Sequence, residues 1–133
     1  MTRARGNSYL PPLDGVGVKA GFLLALVSAA LGLLGQIAWR YAVPRGMSLD
    51  AASLLKLLLD WRVIAGFALY ALSTLAWLAA LSRGELSELY PVISLNYALA
   101  LIVGWLLFGE SVTLAKVLGV ALILLGVASI ALS

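Results

Sequence analysis

The sequence predicts an all-α integral membrane protein: four helices cross the bilayer, and a short amphipathic helix lies in the interface between the first two. Three observations predict this. First, 63% of the 133 residues are hydrophobic and only 11% are charged. A soluble domain runs near half and a quarter, so this chain cannot cover its surface with polar groups and must face lipid. Second, four uncharged runs, Gly21–Trp39, Val63–Ser82, Leu89–Gly109 and Val117–Ser133, are each 17 to 21 residues long. A helix needs about 20 to cross the hydrocarbon. Third, backbone groups in lipid must be satisfied within the segment, which selects helices.

Residues 1–18 hold Arg3, Arg5, Gly6, Pro11, Pro12, Asp14 and Gly15, and this punctuation reads as a polar N-terminal arm. The rest, 19–133, forms one membrane domain. Its first span, 19–42, lies too far into the chain and is too long for a cleaved leader, and it lacks a small-residue cleavage site. Next comes Pro44–Asp60. Its segment SLDAASLLKLLLD opens on Ser48, the expected N-cap. Leu54, Leu55, Leu58 and Leu59 then share one side, with Asp50 and Lys56 elsewhere, the pattern of a helix lying in the interface. The alternative is a continuation of the second membrane helix. That second span covers 61–82. The short SRGEL loop forces an antiparallel hairpin with the third, 88–109. GESVT does the same for the fourth, 113–132, with Thr113 as its cap.

Arg3, Arg5, Lys19 and Arg83 fall on one side of the membrane, and Arg40, Arg45, Lys56, Arg62 and Lys116 on the other. The positive-inside rule finds no clear asymmetry here. Dual insertion and an orientation fixed by a partner both stay open.

Composition also excludes chemistry. There is no cysteine and no histidine, hence no thiol chemistry and neither the commonest general base nor the commonest metal ligand. None of the four runs holds a carboxylate, and no nucleophile–base pair is recognisable. No enzyme activity, metal or cofactor is expected. The net charge of +3 is scattered, so no nucleic-acid surface is expected.

The polar groups inside the spans carry the functional signal. On the first span, Ser28, Gly32, Gln36 and Arg40 recur every four residues, with Gly35 and Trp39 beside them. Arg40 either snorkels to headgroups or holds a phosphate with its planar fork. Gln36 is either interhelical glue or a cavity-lining group. The second span gathers Gly66, Tyr70, Ser73, Thr74 and Trp77 on one face. On the third, Tyr90, Ser94 and Tyr97 share a face. Asn96 points elsewhere and needs a protein neighbour, because an amide facing lipid is costly. Pro91 suits a helix start, where its missing N–H costs little; a start at Ser87 would instead free a carbonyl and kink the helix. The fourth span presents Ala115, Gly119, Gly126 and Ser129, a small-residue stripe for close helix association within one bundle or between subunits. Tyr70, Trp77, Tyr90 and Tyr97 could offer cation–π faces to an organic cation.

The segment from Trp77 to Val127 resembles the EamA-type part of the drug/metabolite transporter superfamily. Its most specific elements are Tyr90-Pro91-x-x-Ser94-Leu95-Asn96, Gly109-Glu110 and Gly119-x-x-Leu122-Ile123-x-x-Gly126. With Gly35-Gln36-Ile37 followed by Arg40, the chain is similar to the small four-helix subunits that flip aminoarabinose linked to undecaprenyl phosphate. The resemblance covers roughly residues 20–133, apart from the leucine-rich interfacial segment. It departs from the sister small multidrug-resistance antiporters, whose first-helix glutamate, three residues before a glycine, is replaced here by Gly32. The resemblance implies a multi-pass protein of the bacterial inner membrane that moves a polyprenyl-phosphate-linked sugar. It also implies that Gln36, Arg40, Tyr90, Ser94 and Asn96 lie near the substrate's path; by their place on or beside these polar faces, Trp39, Tyr70, Trp77 and Tyr97 complete the expected substrate-binding set. So short a chain cannot enclose such a path alone, so a homodimer or a heterodimer with a paralogous subunit is expected. The competing readings are a small exporter of organic cations and a non-transporting structural subunit.

Overall fold

The computed structural model describes residues 15–133. Five helices follow in order: α1 (Gly15–Ala42), α2 (Ala51–Leu58), α3 (Trp61–Leu81), α4 (Leu86–Phe108) and α5 (Leu114–Ala131). All but α2 are long and apolar enough to cross a membrane. Gly15–Val18, read as part of the arm, already belong to α1. The rest of that arm, residues 1–14, lies outside the described residues.

The cap of α2 is Asp50, not Ser48. The Asp50 carboxylate accepts from the Ser53 N–H (3.1 Å) and from the Ser48 and Ser53 hydroxyls. A carboxylate can accept several bonds at once, so Ser48 becomes a donor to the cap rather than the cap. These hydroxyls, Ser48 first, hold the Asp50 carboxyl at about 2. Leu54, Leu55, Leu58 and Leu59 are all exposed, the face an interfacial helix offers to lipid. Nor is α2 a continuation of α3. The chain breaks at Leu59 and restarts where Asp60 accepts from the Arg62 N–H (2.8 Å).

The tightest pairing is α1 on α3. A methyl added to Gly35 would lie 2.9 Å from the Gly66 carbonyl oxygen, and one on Gly66 3.0 Å from the Gly35 oxygen. The two backbones therefore touch, which only small residues permit. Two turns further, the Ser28 hydroxyl donates to the Ser73 carbonyl (2.9 Å) and the Ser73 hydroxyl to the Ser28 carbonyl (2.8 Å). Each hydroxyl spends its only proton on backbone, so their 3.2 Å approach to one another is a contact rather than a third bond. At the far end, the Trp39 indole covers Gly66. It donates to the Val63 carbonyl (3.1 Å), stacks on Tyr70 at 5.3 Å and meets Phe67 edge-on at 5.0 Å.

α4 joins this pair through Leu89, which is 1% exposed and packs with Ala25 and Ala80. It packs more on α1 than on α3, its neighbour in sequence. Pro91 sits inside α4, at its sixth position, rather than at its start. The Ser87 carbonyl thereby loses its ladder donor. The fourth span does not close a bundle: α5 packs on α4, and none of its residues is buried. Thr113 caps it as expected, accepting from the Lys116 N–H (3.3 Å).

Candidate functional site: a groove between α1 and α4

The four-residue stripe on α1 does not stay on one side. Four residues advance an α-helix by about 40° more than a full turn, so Ser28 to Arg40 drifts by about 120°. Ser28 and Gly32 therefore meet α3, while Gln36 and Arg40 turn to α4. Together with Leu33 and Ile37 they form one wall of a groove of about 230 Å³, whose other wall is Ala100, Val103, Gly104 and Phe108. The groove is open along its length. At its end lies a polar mouth of about 490 Å³ lined by Arg40, Arg45, Gly109, Glu110, Ser111 and Lys116. Three cations there face one carboxylate.

Local backbone chemistry builds the mouth. Gly109 ends α4 at φ 60°, the left-handed region that glycine enters without a Cβ penalty. The Gly109 and Glu110 N–H groups then both donate to the Gly104 carbonyl (3.0 Å from Glu110 N), a wide C-terminal closure six residues long. This folds the Glu110 side chain back over α4, so that Oε2 would lie 2.7 Å from a methyl on Gly104. Its Oε1 accepts from Arg40 Nε at 3.2 Å. The guanidinium also lies over the Phe108 ring, 5.2 Å from its centre. Side chains of the pair are 33% and 41% exposed, and such a pair adds only about 0–1 kcal/mol. What it supplies is position: Arg40 is held across the groove rather than reaching freely for headgroups. Lys116 is tethered through Nζ to the Ser111 carbonyl (2.6 Å).

The remaining sequence-predicted residues separate into other places. Trp39 and Tyr70 belong to the α1–α3 seam. Trp77 packs on the Leu89 core and meets Tyr90 edge-on at 6.2 Å. Tyr90, Ser94 and Tyr97 line a second groove, of about 420 Å³, between α4 and α5, together with Ser87, Pro91, Ile123, Val127 and Ile130. There the Ser94 hydroxyl donates to the Pro91 carbonyl of its own helix. Asn96, on the opposite face of α4, turns to α1 and donates from Nδ2 to the Ala29 carbonyl at 3.4 Å. Its Oδ1 is buried without a partner among the described residues. Gly119 and Gly126 face open space within the chain. The structure thus brings Gln36 and Arg40 together and sets Tyr90, Ser94 and Tyr97 on the other side of α4. Sequence reasoning held Glu110 only as part of the Gly109-Glu110 motif and placed neither it nor Phe108 at the site. The signal for Glu110 was Gly109, because a left-handed glycine reverses the chain and returns the next side chain to its own helix.

Comparison with known proteins gives the family. The chain is 39% identical over 132 residues, 98% of its length and 90% of the relative's, to the probable 4-amino-4-deoxy-L-arabinose-phosphoundecaprenol flippase subunit ArnF of Pseudomonas fluorescens strain Pf-5. It belongs to the ArnE/ArnF family. The ArnE subunit of that same strain is 35% identical over 105 residues, 79% of this chain and 91% of its own. The ArnF subunit of Aeromonas hydrophila is 37% identical over 131 residues, covering 95% and 89%. No family model matches, so the wider EamA-type resemblance rests on its motif residues. No solved structure matches either. As an ArnE/ArnF protein with four spanning helices, the chain is a multi-pass protein of the bacterial inner membrane. Its departure from the drug antiporters has a packing reason. A Cβ on Gly32 already meets Ser73 Oγ at 3.2 Å, so a glutamate there would drive into α3.

Proposed function

We propose that the chain is a subunit of a flippase that carries a polyprenyl-phosphate-linked aminosugar across the inner membrane, paired with a paralogous four-helix subunit. It performs transport, not catalysis. The observation that carries this reading is the groove between α1 and α4 that ends in Arg40, Arg45 and Lys116. A polyprenyl phosphate needs two things of its carrier: cations for the phosphate, and an apolar slot open to the bilayer for the tail. Leu33, Ile37, Ala100 and Val103 supply the slot. Arg40, pre-positioned by Glu110, supplies a planar fork suited to phosphate. Gln36 stands between the two as a neutral hydrogen-bonding group.

Pairing follows from what one chain leaves open. The groove has walls from two helices only, and α5 offers Gly119 and Gly126 on a helix with no buried residue. Relatives named as two distinct subunits support a paralogous partner. The test is reconstitution into vesicles, with a paralogous subunit, of labelled lipid-linked aminosugar. Faster inward-to-outward exchange than in empty vesicles, reduced by Arg40→Gln, is expected. Exchange no faster than in empty vesicles would refute the reading, and resistance to quaternary ammonium compounds on expression would favour an exporter instead.

A further inference from the structure

The Arg40–Glu110 pair is only half used. Of the guanidinium's donors, Nε alone is engaged, and among the described residues no hydrogen bond falls on either Nη. The carboxylate likewise spends only Oε1. Its Oε2 lies over Gly104 inside the groove, and no hydrogen bond among the described residues reaches it. Both side chains remain a third or more exposed. A pair formed only to neutralise charge would close into the two-point fork that arginine and carboxylate favour. This one is held open by its scaffold. The bond from the Glu110 N–H to the Gly104 carbonyl fixes Glu110 against Gly104, and Phe108 lies beneath Arg40.

An open pair of this kind presents a cation and an anion side by side, each with a free edge. Its complement is a ligand that carries an anion and a cation a short way apart. We infer that Glu110 is a specificity-determining residue: Oε2 accepts the ammonium of an aminosugar while the Arg40 Nη groups, with Arg45 and Lys116, hold the adjoining phosphate. This rests on the flippase reading, which supplies the phosphate, and adds which group at the site selects the amine. Among the residues lining groove and mouth, Glu110 is the one carboxylate. A sugar without the positive charge would leave Oε2 unpaired and lose a charge-assisted hydrogen bond.

The test uses the full-length chain in nanodiscs, alone and co-expressed with a paralogous subunit. Two probes are compared: the aminosugar-linked polyprenyl phosphate and its N-acetylated counterpart, which lacks the charge. The wild type is expected to bind the amine form about tenfold more tightly, the worth of one charge-assisted bond. Glu110→Gln keeps the side chain's length and an acceptor for Arg40 Nε, and is expected to bind both forms alike. Glu110→Asp, which keeps the charge, is expected to retain part of the preference. The comparison of the two probes on the wild type does not depend on any variant folding. Equal binding of both forms by the wild type, or an undiminished preference in Glu110→Gln, would overturn the assignment alone. Binding of neither form by the wild type would overturn the flippase reading and the assignment with it.

Discussion

Replacing Gly66 with alanine should loosen the α1–α3 pair, and the size of the effect can be worked from the coordinates. The new methyl would lie 2.2 Å from Trp39 Nε1 and 2.4 Å from its Cδ1, whereas favourable contact begins near 3.5 Å. The indole must therefore retreat by about 1 Å. That stretches its 3.1 Å bond to the Val63 carbonyl beyond useful length and parts the stack on Tyr70. The bond is worth about 0.6 kcal/mol within a membrane, and the aromatic pair about 1 kcal/mol. The same methyl lies 3.0 Å from the Gly35 oxygen, which separates the backbones at an overpacking cost of about 1–2 kcal/mol. Better helix propensity returns about 1 kcal/mol. The net loss is about 2 kcal/mol, or about thirtyfold in the folding constant. Reversible unfolding in mixed detergent–SDS micelles, followed by circular dichroism, measures it. Trp39→Ala should remove most of the penalty when combined with Gly66→Ala. A Gly66→Ala protein as stable as the wild type, or strictly additive effects in the double variant, would refute the reasoning.

Other outcomes follow from the same geometry. Gly32→Ala should cost at most about 1 kcal/mol in the same unfolding assay, crowding of about 1–2 kcal/mol set against about 1 kcal/mol of better helix propensity. That penalty should vanish when Gly32→Ala is measured in a Ser73→Ala background, because the methyl's single tight neighbour is Ser73 Oγ at 3.2 Å, with the next atoms at 3.9 and 4.0 Å. The Asp50 carboxyl is depressed from 3.8 to about 2. Its support of the α2 cap is therefore complete above pH 3.8, declines as the pH falls through about 2, and is gone below that. Amide exchange in α2 should show this slope in the wild type and lose it in Asp50→Asn. A slope that survives the substitution would point to another group. Gly119→Leu and Gly126→Leu add side chains that meet nothing within the chain. They should not lower its unfolding midpoint, better helix propensity raising it slightly, while weakening subunit cross-linking, and undiminished cross-linking would show that pairing uses another face.

The four spans were legible in the sequence because lipid imposes a length and forbids charge, and both constraints appear directly in the residue order. The α2 leucines and the Thr113 cap were legible for the same kind of local reason. So were the two faces of α4, since Tyr90, Ser94 and Tyr97 lie opposite Asn96 by helical period alone. The α1 stripe was harder. A spacing of four reads as one face over two steps, but it winds around the helix over three, which is why Ser28 and Arg40 serve different neighbours. Ser48 reads as the cap because a serine opens the segment, but the Asp50 carboxylate can accept several bonds at once and takes the Ser48 hydroxyl along with the Ser53 N–H. The placement of Gln36 and Arg40 apart from Tyr90, Ser94 and Tyr97 depends on how α4 rotates between α1 and α5, and no residue spacing encodes that rotation. Glu110 meets Arg40 across 70 residues of chain, a distance that helical periodicity does not span.

The central claim is that a polyprenyl phosphate enters between α1 and α4 with its phosphate at the Arg40 mouth. Photocross-linking tests it most directly, using a polyprenyl phosphate that carries a diazirine on the isoprene unit next to the phosphate, followed by peptide mass spectrometry. Adducts should fall on the Gln36–Arg40 turn and on the Gly104–Glu110 end of α4, and decrease in Arg40→Gln. Adducts confined to the Tyr90–Tyr97 face and its α5 neighbours Ile123 and Val127 would contradict the claim.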